Sequence, residues 1–418
     1  MALDAAPPAV AAALPAELYM LVFERLDSFR DLCECSRVCR RWRTVADSDG
    51  VWGAMLRRRC VDVEAERRAQ AGVRGSKAIF AGWHRRYRGF TDSYTRMRRV
   101  FGRLESWAEA NCPLLRQSLA PGLGWMGDEP MPVRELLDVV HDSPAMRDFI
   151  MAHHLHDGQR RRSRYIECGM FGTYECYGQA CSLSWLSSRM LQVVAIGRFR
   201  ILVFALCVNT QNYLSVVVGC PPEHEAALMH HVVQLQPQSH RIEDRGLFGD
   251  FIAAYVDGLV AGRHDVCNGL ISMMPNAGPH VGSSVTRGIR TTVSAMFCFD
   301  ETPHFRVYRY QVTFEIVDPA ALGVDSVQLV SRHWLIHYSN REYIQAEGAG
   351  VVGEFPIIST AEPYFRYCSR MRDEPEGLVV VGFEGRFSVV PGTIDAPLGP
   401  EFSLPVPYVE LPIPMEIL

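Results

Sequence analysis

Lysine is almost absent. The 418 residues carry 43 basic side chains, and only one of them, Lys77, is a lysine. Positive charge is therefore left to arginine, whose planar fork keeps its proton and hydrogen-bonds bidentately. There is no C-x-x-C pair and no N-x-S/T sequon. Thirteen cysteines, an odd number in so long a chain, are too sparse for a disulfide scaffold. Residues 1–13 are rich in Ala and Pro but lack the basic start and long apolar run of a signal peptide. No apolar stretch reaches the ~18 residues of a membrane span. The best, residues 201–208, is short and follows Arg198 and Arg200. The net charge of −4 provides no overall field for nucleic acid or an anionic membrane. These absences predict a reduced, intracellular, soluble protein with no membrane partner.

What is present is ordinary globular material, 48% apolar and 22% charged, enough for several cores. The length predicts about two to three domains. Charge is uneven: residues 35–103 hold 18 basic and 6 acidic side chains, so the remainder is net acidic. A basic N-terminal third joined to an acidic remainder predicts modules with different jobs.

Residues 14–52 carry the densest pattern. Pro15 suits the start of a helix, where no backbone N–H is needed. Leu18, Leu21, Val22 and Leu26 fall on one helical face. Asp27 and Ser28 are turn and N-cap residues. A second helix is expected from Phe29 through Leu32. A third is expected along Cys35, Val38, Cys39, Trp42 and Val45, with Arg37, Arg40, Arg41 and Arg43 mostly off that face. A core of three short helices rarely stands alone. Docking on another chain is the physical expectation.

The segment LPAELYMLVFERLDSFRDLCECSRVCRRWRTVADSDGVW resembles an F-box. Leu14-Pro15, Val22-Phe23, Leu26-Asp27, Asp31-Leu32, Val38-Cys39, Trp42 and Trp52 stand in that motif's register. The resemblance implies docking onto a Skp-type adaptor. The adaptor-contacting positions it implies are Leu14, Pro15, Leu18, Val22, Leu26, Leu32, Val38, Cys39 and Trp42.

Residues 61–95 read as a basic helical connector with Trp83, Tyr87 and Phe90 as anchors on the F-box. The arginine runs 57–59, 85–88 and 96–99 read as solvated faces or as surfaces for acidic partners. No zinc finger, RNP signature or basic zipper accompanies them, so a nucleic-acid partner is not expected. Helical patterns follow over 100–119, over 133–140 and through Phe149 and Ile150, with a break at 121–124. Apolar runs at 191–196, 201–208 and 213–218 read as strands. Phe248, Phe251, Ile252, Tyr255 and Leu259 read as a closing helix. Helices, strands, then helix predict an α+β domain. FIMAHHLHDGQ, with Asp157-Gly158-Gln159, and FGDFIAAYVDGLVAG resemble elements of a SUKH-type domain, which implies a protein-binding scaffold. His153, His154 and His156, with Cys168, Cys176 and Cys181 beyond them, lack zinc-ligand spacing, so no metal is expected.

Residues 276–288 read as a linker. Beyond it Tyr308, Tyr310, Val312, Phe314 and Ile316 alternate with polar residues. Val379, Val381, Phe383, Gly385, Phe387 and Val389 alternate likewise. Period two predicts half-buried antiparallel strands. Further strands are expected near 292–299, 327–330, 333–338, 365–368 and 402–406, which predicts a β-sandwich. Gly348, Gly350 and Gly353 spell G-x-G-x-x-G, but Pro356 and a β-like run follow, so a glycine-rich hairpin or bulge is expected rather than a dinucleotide turn. SRHWLI, GAGVVGEFPIIS and EPYFRYCSR resemble the ApaG domain in order and spacing. That resemblance implies a fibronectin-like sandwich. Gly348, Gly350 and Gly353 with Arg332 and Trp334 form a candidate ligand or substrate loop, since backbone N–H groups there are accessible to an anion.

The expected fold is multidomain α+β: a helical F-box (12–60), the connector (61–95), a SUKH-like α+β domain (96–265), a linker (266–283) and an all-β ApaG sandwich (284–418). These modules in this order resemble ApaG-containing F-box proteins. They imply a cytoplasmic or nuclear substrate-recognition receptor of an SCF-type cullin–RING E3 ubiquitin ligase. Cullin and RING subunits are then indirect partners and a protein the substrate. The chain itself is expected to be non-catalytic and free of cofactors. The alternative is a ligase-independent regulatory scaffold that binds a ligand or nucleotide through the ApaG domain. The scarcity of lysine has two readings: a GC-rich genome, which encodes Arg and Ala readily and Lys poorly, or, on the ligase reading, protection of the chain from ubiquitination by leaving few acceptors besides Lys77.

Overall fold

The structure, a computed structural model, describes residues 14–70, 75–119, 143–156, 169–176, 179–207, 212–235, 241–267, 269–298, 306–373, 378–413 and 415–416. The expected helix at 133–140, the break at 121–124, Asp157-Gly158-Gln159 and Cys168 lie outside them. The described residues divide into two compact units, one of residues 14–102 and 147–155, the other of 103–119, 143–146 and 156–416.

The first unit is helical: α1 (Ala16–Phe23), α2 (Phe29–Val38), α3 (Arg40–Ala46), α4 (Asp49–Arg58), α5 (Val63–Ala69), α6 (Ser76–Arg86) and the first part of α7 (Thr91–Asn111). The stripe through Cys35, Val38, Cys39 and Trp42 does not form one helix. Cys39 is extended (φ −158°, ψ 171°), and its thiol accepts a hydrogen bond from the Trp42 amide at 3.4 Å. The sulfur does here what a Ser or Asp oxygen does at an N-cap, and α2 and α3 part at that residue.

Aromatic rings build this core. Phe23 meets Trp42 edge-on at 5.3 Å, Trp52 meets Phe80 at 5.1 Å, and Phe80 meets Trp83 at 5.5 Å. Trp83, Tyr87 and Phe90 of the connector are buried. F-box helices and connector thus share one core. The arginines tie it together. Arg58 donates to the Leu26 carbonyl (2.6 Å), and Arg59 pairs with Asp92 (2.8 Å). Arg86 pairs with buried Glu66 (3.0 Å) and Arg96 with Asp148 (2.7 Å). Lys77 pairs with Asp47 at 2.5 Å and lies over the Trp52 ring.

The second unit holds α8 (Pro113–Ser118), then two sheets before the sandwich. One is a four-stranded sheet, ordered β2 (Gln179–Ser182), β1 (Thr173–Cys176), β10 (Leu270–Pro275), β9 (His264–Cys267). The other runs β20 (Met415–Glu416), β8 (Arg241–Leu247), β7 (His231–Leu235), β6 (Asn212–Gly219), β5 (Phe199–Cys207), β3 (Ser184–Trp185), with β4 (Gln192–Ile196) also on β5. The chain also forms α9 (Pro144–Leu155), α10 (Pro222–Leu228) and α11 (Phe248–Val260). The expected linker at 266–283 is largely strand: it contains β10, and its last residues begin β11 (Val281–Thr286). Its glycines supply turns: Gly269 (φ 75°) joins the paired strands β9 and β10, and Gly278 (φ 107°) lies where the chain passes from β10 to β11 of the next sheet. Nor does the C-terminal module end in its own sheet, because Met415 pairs with Ile242 in β8.

The sandwich has two antiparallel sheets. One is β11, β12 (Ile289–Cys298), β13 (Val307–Ile316) and β17 (Tyr364–Arg372). The other is β15 (Tyr343–Ala349), β14 (Ser326–Tyr338), β18 (Val380–Pro391) and β19 (Phe402–Glu410), with β16 (Ile357–Ser359) on β14. Phe314, Trp334, Phe383 and Phe387 lie in one buried cluster between them. The short α12 (Pro319–Leu322) follows β13. The alternation over β13 holds: Tyr308, Tyr310, Val312, Phe314 and Ile316 are buried. That over β18 slips. A register shift pairs His337 with Gly382 but Tyr338 with Val380, so Val380 is fully buried and Val381 only half. A bulge inserts one residue and reverses the phase beyond it. A second shift, between Leu329 and Ser331, lets one strand of 13 residues run where two were expected.

Candidate functional site

Helix α1 is two-faced in an unusual sense. Tyr19 and Phe23, one turn apart, face Trp42 and are buried. The other side is also apolar and carries Leu18, Leu21 and Val22, exposed by 43%, 57% and 58%. Leu14 is 42% exposed, and Val38, the last residue of α2, 62%. Single exposed aliphatic residues are ordinary, whereas neighbours at i, i+3 and i+4 make a patch. Polar ties hold the patch in place. Arg41 donates to the Leu14 carbonyl at 2.5 Å and lies over the Tyr19 ring. Ser28 accepts from the Asp31 amide and caps α2.

The nine adaptor positions separate by burial. Leu14, Pro15, Leu18, Val22, Val38 and Cys39 are exposed; Leu26 and Trp42 are half-buried. Leu32 is fully buried. It holds α2 to the core and offers no surface. Leu21, outside that set, is among the most exposed residues of α1 and shares the face of Leu18 and Val22. Its spacing of three from Leu18 was the available signal.

The glycine loop is a hairpin. Val351 and Glu354 exchange both backbone hydrogen bonds at 2.9 Å, and the two residues between them have positive φ (Val352 51°, Gly353 81°). That is the geometry of a two-residue primed turn. Gly350 (φ 57°) has no room for a side chain, since a Cβ would meet the Glu354 carbonyl oxygen. Arg332 lies across Gly348 and donates to the Gly350 carbonyl at 2.9 Å. Trp334 is 4% exposed and packs edge-on against Tyr310, Phe383 and Phe387. It is a core residue, so it is no part of a ligand loop. What the turn presents to solvent is Val352, 67% exposed, and Phe355, 44%.

The three histidines each have a separate environment. His153 donates to the Phe149 carbonyl at 3.4 Å, His154 meets the Tyr87 hydroxyl at 2.8 Å, and His156 meets Glu105 at 2.9 Å. Burial lowers the pKa of His153 to about 3. Burial, with Arg86 nearby, lowers that of His154 to about 4. Among the described residues no group of three or more His, Cys, Asp or Glu side chains is placed to hold a metal ion.

Two family models match the chain, one of the F-box-like domain over residues 11–58 and one of the ApaG domain over residues 299–389. F-box only protein 3 of Bos taurus is 24% identical over 379 residues, covering 85% of this chain and 75% of that protein. F-box only protein 3 of Homo sapiens matches with the same identity and coverage. Protein ApaG of Methylobacterium radiotolerans is 34% identical over 125 residues, covering 30% of this chain and 92% of that protein.

Proposed function

Through its C-terminal sandwich this chain belongs to the ApaG family, and its N-terminus is an F-box-like domain; from that premise we propose that it is a substrate receptor of an SCF-type cullin–RING ubiquitin ligase. The supporting observation is the uncovered aliphatic face of Leu14, Leu18, Leu21, Val22 and Val38 on a helical module whose core is already complete without it. Covering that face with a Skp-type adaptor removes apolar surface from water at about 25 cal/mol per Å². Leu14, Pro15, Leu18, Val22, Val38 and Cys39 make the contact in this reading, with the edges of Leu26 and Trp42. Leu32 supports them from beneath.

The second unit then presents the substrate, its middle part acting as a SUKH-type scaffold beside the ApaG sandwich. Catalysis belongs to the E2 and RING subunits, which gain rate by holding an acceptor lysine near a thioester. The protein works in the cytoplasm, the nucleus or both. The test is a pull-down of recombinant Skp-type adaptor with the full chain and with a Leu18→Asp/Val22→Asp double variant. Because both side chains are exposed, the variant keeps its thermal midpoint and loses at least ~100-fold in affinity, the size of central interface residues. Absence of adaptor binding by the unaltered chain overturns the reading.

A further inference from the structure

The second unit contains a cleft of about 290 Å³, near the lower bound for ligand cavities. Its walls come from α11, β8, β9, β10, β12 and the segment after β19. No motif in the sequence marks it, because residues from 171 to 412 meet there. One wall is aromatic. Phe251 and Tyr255 stand one turn apart on α11, and Phe171 stacks on Phe251 at 5.7 Å. Met273 and Met296, half-buried, adapt the remaining surface.

The polar groups are specific in kind. Arg245 donates to both Gln234 (2.9 Å) and Glu243 (2.9 Å). Its charge is met internally, so the cleft is not an anion site. Two histidines line it as well. His264 Nδ1 lies 3.1 Å from the Ser272 carbonyl, and His280 Nδ1 lies 2.8 Å from the Glu410 carbonyl. A carbonyl only accepts, so each Nδ1 carries a proton, and in the neutral form of either imidazole Nε2 is the acceptor. Burial lowers the His264 pKa, which favours that neutral form. The cleft thus combines ring faces with two imidazole acceptors whose tautomers are set by the backbone.

We propose that this cleft binds an aromatic ring bearing an N–H or O–H donor. The ring lies against Phe251 and Tyr255, and its donor meets Nε2 of His264 or His280. A free small molecule and a Trp or Tyr side chain of a partner offer the same chemistry.

Indole and benzofuran separate the donor from the ring, because they share a shape and differ in the N–H. In calorimetric titrations of the full chain, indole binds saturably and at least ~10-fold more tightly than benzofuran, since a site built around acceptors rejects a ligand that leaves them unpaired. His264→Phe reduces that preference to below ~3-fold; if His280 is the acceptor, His280→Phe does so instead. Met296→Trp fills the cleft and abolishes binding, and circular dichroism establishes that each variant folds. A blocked Gly-Trp-Gly peptide that binds like indole assigns the site to a side chain; binding of indole alone assigns it to a small molecule. Absence of saturable indole binding overturns the proposal. So does equal affinity for benzofuran, or a preference that survives both histidine substitutions.

Discussion

The helical N-terminal module and the C-terminal sandwich use apolar residues in opposite ways. In the sandwich, two sheets enclose Phe314, Phe383 and Phe387, each fully buried, and period-two strands turn their apolar sides inward. In α1 the periodic aliphatic residues point outward, and an aromatic pair the periodicity did not single out holds the helix down. An apolar stripe read from sequence identifies a face that needs covering. It does not say whether the cover is the same chain.

The largest effect should come from the enclosed face. Phe387→Ala leaves a cavity between the sheets and costs about 3–5 kcal/mol, read as a lower urea midpoint. Leu21→Ala removes an aliphatic side chain of similar character and costs under ~0.5 kcal/mol. Comparable losses for the two would erase the contrast.

Next in size is acid sensitivity of the first unit. His153 and His154 have folded-state pKa values below the unfolded value, so the unfolded chain binds more protons beneath it. Stability is therefore full above about pH 6.5 and falls as pH drops toward the folded values. The loss is about 2 kcal/mol per histidine by pH 5. Hydrogen exchange of the α9 amides at pH 7 and pH 5 reads it. His154→Gln halves the slope; an unchanged slope refutes the assignment.

The smallest effect reverses sign. Val352 is a β-branched residue at φ 51° on an exposed turn. Val352→Gly relieves strain of ~1–3 kcal/mol but loses ~0.5–1 kcal/mol to backbone entropy. The net gain of about 1 kcal/mol appears as a higher thermal midpoint. Destabilisation instead means that Val352 makes contacts that outweigh its strain.

Much of the architecture was legible because it rests on local periodicity. The strands β12, β13 and β17 fall where alternation and aromatic clustering place them, and the proline after Gly353 excluded a helix there. The phase of β18 was not legible, since a bulge depends on the partner strand as well as on its own residues. The segment 266–283 misled because glycines that punctuate strands look like glycines of a linker. At the candidate site, helical spacing marked Leu18 and Val22 and the F-box resemblance implied Leu14, but a motif position reads the same for Leu32 as for Val38. Burial separates them, at 0% and 62% exposed.

By itself the sequence determined the first and last modules: short-range spacing of apolar residues, prolines and turn formers sets helix or strand within a few residues, and the F-box and ApaG resemblances rest on such spacing. Tertiary structure decided which faces are covered. It placed Leu21 in the open face and Trp334 in the core, paired the lone Lys77 with Asp47, and wove Met415 into the middle sheet. It also assembled the aromatic cleft from residues more than two hundred positions apart. Burial and pairing are properties of what else occupies the space around a residue, and no local pattern carries that information.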